Sequence, residues 1–148
     1  MSLKAQLAND LKEAMKNKDT LRKSVITMIR SDIKQVEVDQ RIELNDEDII
    51  EILSKQAKQR RDAAVEFRKG NRQDLVEEVQ QELEVIMSYL PEQLTPEEVA
   101  QVVDETISEV GAASIKEMGK IMAAVMPKLK GKADGKIVNQ IVRERLQS

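Results

Sequence analysis

Apolar residues recur along this chain at helical spacing, and each run is bounded by a readable start or stop. Leu3, Leu7, Leu11 and Met15 fall on one core-facing stripe of a first helix that stops near Asn17 to Asp19. Leu21, Val25, Met28, Ile29, Ile33 and Val36 give a second helix, broken between Asp39 and Glu43. Asn45 has N-cap character, with Asp46, Glu47 and Asp48 in the first turn, where the helix dipole favours anions. The third helix then carries Ile49, Leu53, Ala57, Ala64 and Phe67 on one side, and Gly70 is expected to supply its left-handed stop.

A fourth helix reads Leu75, Val79, Leu83, Ile86 and Leu90, and Pro91 closes it by disfavouring helix at the residue before. Thr95-Pro96-Glu97-Glu98 is a start signal of several parts. Thr95 caps, Pro96 suits the first helical position, Glu98 completes a capping box and Leu94 staples onto Val99. Val99, Val102, Val103, Ile107 and Val110 line this fifth helix, and Gly111 ends it. Ser114-Ile115-Lys116-Glu117 repeats the capping box for a sixth, with Met118, Ile121, Met122 and Val125, which must end before Pro127. Asp134 caps a seventh, bearing Ile137, Val138, Ile141, Val142 and Leu146. No alternating strand pattern survives. The fold class is therefore all-α and multihelical, with an N-terminal helical domain over 1–90, a linker over 91–94 and a small helical domain over 95–148.

Composition narrows the chemistry. The 148 residues include no Cys and no His, which removes disulfides, thiolate and imidazole ligands, Cys nucleophiles and His general bases. No metal site and no cofactor is expected. Phe67 and Tyr89 are the only aromatics, so base stacking cannot be an extensive binding mode. No apolar run is long enough for a membrane span, and four lysines in the first twenty residues do not suit a secretory signal, so the default expectation is a cytoplasmic protein without a membrane partner.

The net charge of -3 conceals a divided molecule: Asp74 to Glu109 holds eleven acidic residues and no Lys or Arg, whereas Lys116 to Ser148 holds eight basic and three acidic ones. Such division bears on partners rather than on fold. In the lysine-rich end, Gly131 and Gly135 permit close backbone approach, and the following helix offers free N–H groups to an anion. Lys116, Lys120, Lys128, Lys130, Gly131, Lys132, Gly135, Lys136 and Arg143 form the candidate nucleic-acid-binding set. The alternative is an ordinary glycine connection with solvated lysines and Asp134 as a plain cap. Gly131-Lys132-Ala133 does not meet the spacing of a P-loop. Met118, Met122 and Met126 make either a core stripe or an adaptable groove. Lys58, Arg60, Arg61, Arg68, Lys69 and Arg72 form a secondary basic face, either a further phosphate footprint or a solvated helix surface.

Three blocks carry a resemblance to the YqeY family over nearly the whole chain: Lys58-Gln59-Arg60-Arg61-Asp62 with Phe67 to Leu75, then Tyr89-Leu90-Pro91-Glu92-Gln93-Leu94, then Met118-Gly119-Lys120 with Gly131-Lys132-Ala133-Asp134-Gly135. The last block is also similar to the tail domain of GatB, a component of the tRNA-dependent amidotransferase that converts misacylated Glu-tRNA or Asp-tRNA. The resemblance implies an all-helical protein with a GatB/YqeY-type C-terminal module. Because that tail contacts tRNA without carrying the chemistry, it implies tRNA, a tRNA synthetase or an amidotransferase component as partner. Three function classes follow: a tRNA-binding accessory protein without its own catalysis, a protein-interaction adaptor without nucleic acid, and a carbon-nitrogen ligase using glutamine as amido donor. The third lacks support in the residues, since no catalytic constellation is visible.

Overall fold

The computed structural model describes residues 1–147. Among them there are seven α-helices and no strand: α1 (Leu3–Lys16), α2 (Thr20–Gln40), α3 (Asp46–Lys69), α4 (Gln73–Met87), α5 (Pro96–Val110), α6 (Met118–Leu129) and α7 (Gly135–Gln147), with a short 3-10 turn at Ile115–Glu117 before α6. The chain divides into two compact units, Met1–Leu90 and a second beginning at Pro91.

In the first unit α1 packs along α2, α2 also meets α4, and α3 runs beside α4. Leu7, Val25, Ile26, Ile29, Ile33, Ile49, Leu53 and Ile86 close the core. The expected stripe of α1 ends one residue early. Met15 is 56% exposed, whereas Ala14 is buried. Steps of four residues drift by about 40° each on a helix of about 3.6 residues per turn, so the third step from Leu3 has left the core face, while a step of seven from Leu7 returns to it. Met28 is likewise exposed, and Ile26 takes the core position.

The turn between α3 and α4 differs from expectation in its left-handed residue. Gly70 has φ −87°, and Asn71 adopts φ 55°. Arg72 N–H donates to the Phe67 carbonyl at 2.9 Å, the six-to-one bond of a Schellman turn whose left-handed position is therefore Asn71. Asparagine tolerates that region better than most side chains. α4 ends at Met87, earlier than Leu90, because i→i+3 bonds from Tyr89 N–H to Ile86 and from Leu90 N–H to Met87 tighten the chain before Pro91.

The second unit is a three-helix cluster in which α5 meets α6 and α7, and α6 meets α7. Val99, Val103, Ile121, Val125, Leu129, Val138, Val142 and Leu146 are its buried core, and Met118, Met122 and Met126 pack against it. Thr95 and Glu98 form the capping box as read, and Gly111 ends α5 at φ 77°. Two expectations fail. Ser114 makes no side-chain cap; instead a 3-10 turn precedes α6, and Glu117 Oε1 accepts from Ala113 N–H at 3.2 Å. α6 also does not stop at Pro127 but continues to Leu129. Leu129 stands four residues after Val125 and eight after Ile121 and is 1% exposed, so its burial offsets the backbone bond that proline cannot donate.

Candidate nucleic-acid interface

The glycine loop is built from both sides. Leu129 anchors its start in the core, and Lys132 N–H donates to the Leu129 carbonyl at 2.9 Å. Gly131 turns the chain at φ 74°. The segment before α5 then holds the loop's inner edge: Gln93 Nε2 donates to the Gly131 carbonyl at 2.6 Å, and Leu94 N–H donates to the Lys132 carbonyl at 2.9 Å. Two successive carbonyls are thus engaged by that segment. Gly131 is buried, so its contribution is to the turn and not to the solvent-facing surface. At the other end, Asp134 caps α7: its Oδ1 accepts from Lys136 N–H at 3.0 Å and its carbonyl from Ile137 and Val138 N–H. A carboxylate already occupies that helix end, which leaves the side chains, rather than the dipole, to attract an anion. Gly135 opens α7 close beneath α6, where an added Cβ would stand 3.9 Å from Met126 Cε.

The cations divide into two sets. Lys128 Nζ meets Glu109 Oε2 at 2.8 Å and Thr106 Oγ1 at 3.0 Å, and Arg145 Nε meets Asp104 Oδ1 at 2.9 Å. Both therefore neutralise acids of α5. Lys130 and Lys136 are engaged by other groups of the protein. Lys116, Lys120, Lys132 and Arg143 are exposed and have no carboxylate partner among the described residues. Lys136 and Arg143 lie seven residues apart on α7, two turns along one exposed face. A separate groove of about 520 Å³ between α5 and α7 is walled by Glu97, Asp104, Glu105 and Glu144 with Arg145, and its charge would repel a polyanion.

The secondary face in the first unit is less coherent. Arg60 is only 11% exposed in its side chain and pairs with Glu82 at 3.5 Å. Lys69 pairs with Glu66, and Arg72 grips Asp74 through Nε and Nη2, which donate to Oδ1 at 3.2 Å and Oδ2 at 3.0 Å. That fork holds the Asp74 carboxyl below its ordinary range and raises the Arg72 guanidinium. Arg61 is engaged elsewhere, leaving Lys58 and Arg68 as exposed cations without a carboxylate partner among the described residues. Gln93 lies outside the residues that the sequence marks as a candidate site. Its one sequence signal is its place in the Tyr-Leu-Pro-Glu-Gln-Leu block.

Among the described residues no group of three or more acidic side chains is arranged to hold a metal ion, and no helix is long and apolar enough to cross a membrane.

A family model described as Yqey-like protein matches residues 4–146. Curated relatives include "Altered inheritance of mitochondria protein 41, mitochondrial" of Lachancea thermotolerans, 45% identical over 87 residues that cover 58% of this chain and 46% of the relative. The protein of that name from Vanderwaltozyma polyspora is 36% identical over 107 residues, covering 70% and 58%. A component of glutamyl-tRNA(Gln) amidotransferase from Thermococcus sibiricus is 45% identical over 49 residues, 33% of this chain and 8% of that protein. The chain spans about half the length of the mitochondrial relatives it matches.

Proposed function

The chain belongs to the Yqey-like protein family, and from that premise we propose that it binds tRNA through its C-terminal unit, alone or within a tRNA-charging or amidotransferase assembly, without a catalytic step of its own. The observation that carries this reading is the set Lys116, Lys120, Lys132 and Arg143, exposed and uncompensated on a unit whose α5 acids are answered by Lys128 and Arg145. Likeness to an amidotransferase component named for Glu-tRNA(Gln) supports tRNA as the polyanion. Contacts of this kind are made to phosphates and carry little sequence information. The absence of His and Cys fits a binding role.

Titration of labelled tRNA against salt tests it. Four phosphate contacts predict a slope of log affinity on log salt of roughly −3 to −4. Lys120→Gln, Lys132→Gln and Arg143→Gln should each reduce that slope by about one. No binding at low salt, or binding that salt does not weaken, overturns the proposal.

A second reading, a protein-interaction adaptor, is favoured by Ile115 and Ile137, each 40% exposed beside Lys116 and Lys136. Partners captured equally well after nuclease treatment, and lost in Ile137→Ser, would establish it over the first.

A further inference from the structure

The first unit carries uncompensated positive charge where the sequence pattern does not mark it. On α2, Arg30 and Lys34 stand one turn apart and are exposed, and neither has a carboxylate partner among the described residues. Like charges at this spacing disfavour a helix. The acids nearest in sequence are committed elsewhere: Asp32 Oδ2 accepts from Gln56 Nε2 at 2.6 Å, and Glu37 Oε2 accepts from Lys4 Nζ and from Leu44 N–H. Ser31, between the two cations, has a hydroxyl with no partner among the described residues, whereas the Thr27 hydroxyl one turn earlier donates to the Lys23 carbonyl at 2.7 Å.

These side chains line one groove of about 530 Å³ between α1 and α2, with Lys4 and Glu37 on its wall and the buried Leu7 and Ile33 beneath. The lining's three cations and one carboxylate leave a surplus of two positive charges; Glu43, outside the lining and 89% exposed, reaches Lys4 Nζ only at 3.8 Å. We propose that this groove binds the phosphomonoester group of a small organic phosphate or of an RNA 5′ terminus. A phosphomonoester carries a charge of about −1.5 to −2 near neutral pH and three acceptor oxygens. The Arg30 fork, the Lys34 ammonium and the Ser31 hydroxyl match that demand. A backbone phosphodiester carries one charge and answers only half of the surplus. The volume falls in the range of about 300 to 1,000 Å³ usual for small-molecule sites, so an organic body has room beside the phosphate. The inference is independent of the C-terminal reading, because it uses none of its residues.

Amide chemical shifts of the full chain test it, with AMP against adenosine, and with a 5′-phosphorylated RNA oligonucleotide against its 5′-hydroxyl form. AMP is expected to move residues 4–7 and 27–37 saturably while adenosine does not. Arg30→Gln with Lys34→Gln should weaken AMP by about tenfold or more. Ser31→Ala should weaken it less. All three positions are exposed, so the helical signal and melting temperature of these variants should be retained. A 5′-phosphorylated oligonucleotide that binds more tightly than AMP identifies the RNA terminus as the source, and equal binding identifies the small phosphate. Adenosine moving the same amides as AMP, AMP shifts that never saturate, or a double variant that binds AMP like the parent would overturn the proposal. Shifts confined to residues 116–143 would also overturn it, while leaving the C-terminal reading intact.

Discussion

Replacing Tyr89 by Phe removes one oxygen from the polar anchor of the first unit. Tyr89 is 5% exposed, and its hydroxyl donates to Asp10 Oδ2 at 2.6 Å. Arg22 reaches the same carboxylate oxygen at 3.7 Å and lies 6.0 Å from the centre of the tyrosine ring. A hydrogen bond to a charged acceptor contributes about 1.5 to 3 kcal/mol. Asp10 would keep Arg22 and some solvent, since its side chain is 23% exposed, which places the loss near the lower end, about 1.5 kcal/mol. For a unit of this size that lowers the melting temperature by roughly 6 to 12 °C. The same substitution has a pH signature. Burial, and then the bond to Asp10, raise the phenol well above its ordinary 10.0. The stability this shift contributes is complete below pH 10 and is lost as pH rises further, because the unfolded chain ionises first. The parent protein should therefore lose stability more steeply above pH 10 than Tyr89→Phe does. With one Tyr and no Trp in the chain, phenolate absorbance follows this group directly. Ionisation of the folded protein at or below pH 10, or an unchanged melting temperature in Tyr89→Phe, would refute the reasoning.

Glu37 gives the acid counterpart: the Lys4 hydrogen bond, then the Leu44 amide, hold its carboxyl below the ordinary 4.5, so its contribution is present above that value and lost as pH falls through the lower folded one. Denaturant melts across that window should show a shallower acid loss in Glu37→Gln than in the parent. Pro127→Ala should stabilise the second unit by about 2 to 2.5 kcal/mol, the interior-helix penalty of about 3 less the roughly 0.4 to 1 of unfolded-state entropy regained. A lower denaturant midpoint would refute this. Gly111→Ala should cost about 1 kcal/mol from its left-handed backbone alone, since no atom lies within 4 Å of the added methyl. A loss above about 3 kcal/mol would mean that the α5 end does more than turn the chain.

Caps that close over three or four residues were legible without any coordinates. Asn45 caps α3 and Thr95 with Glu98 forms its capping box as read, because donor and acceptor are fixed by the helix they start; the reciprocal bond to Asp48 that completes a box at Asn45 went unread. Where a local signal competes with burial, the reading slips. Pro127 marks a stop, yet Leu129 belongs to the core and draws the helix past it. Met15 continues a four-residue rhythm that the helix itself does not keep.

The lysines of the candidate site were visible one by one, but their availability was not. Lys128 is neutralised by an acid 19 residues away, Arg145 by one 41 residues away, and the Gly131 carbonyl is held by Gln93 across 38 residues. Arg30 and Lys34 attracted no notice in the chain because a charge surplus is a property of the groove that gathers them. The sequence alone determined the all-helical class, the start signals of α3 and α5 and the acid-to-base division, since these rest on periodicity, capping and composition within a few residues. Tertiary structure decided which charges are neutralised and which face solvent, because ion pairing depends on distances that only packing sets.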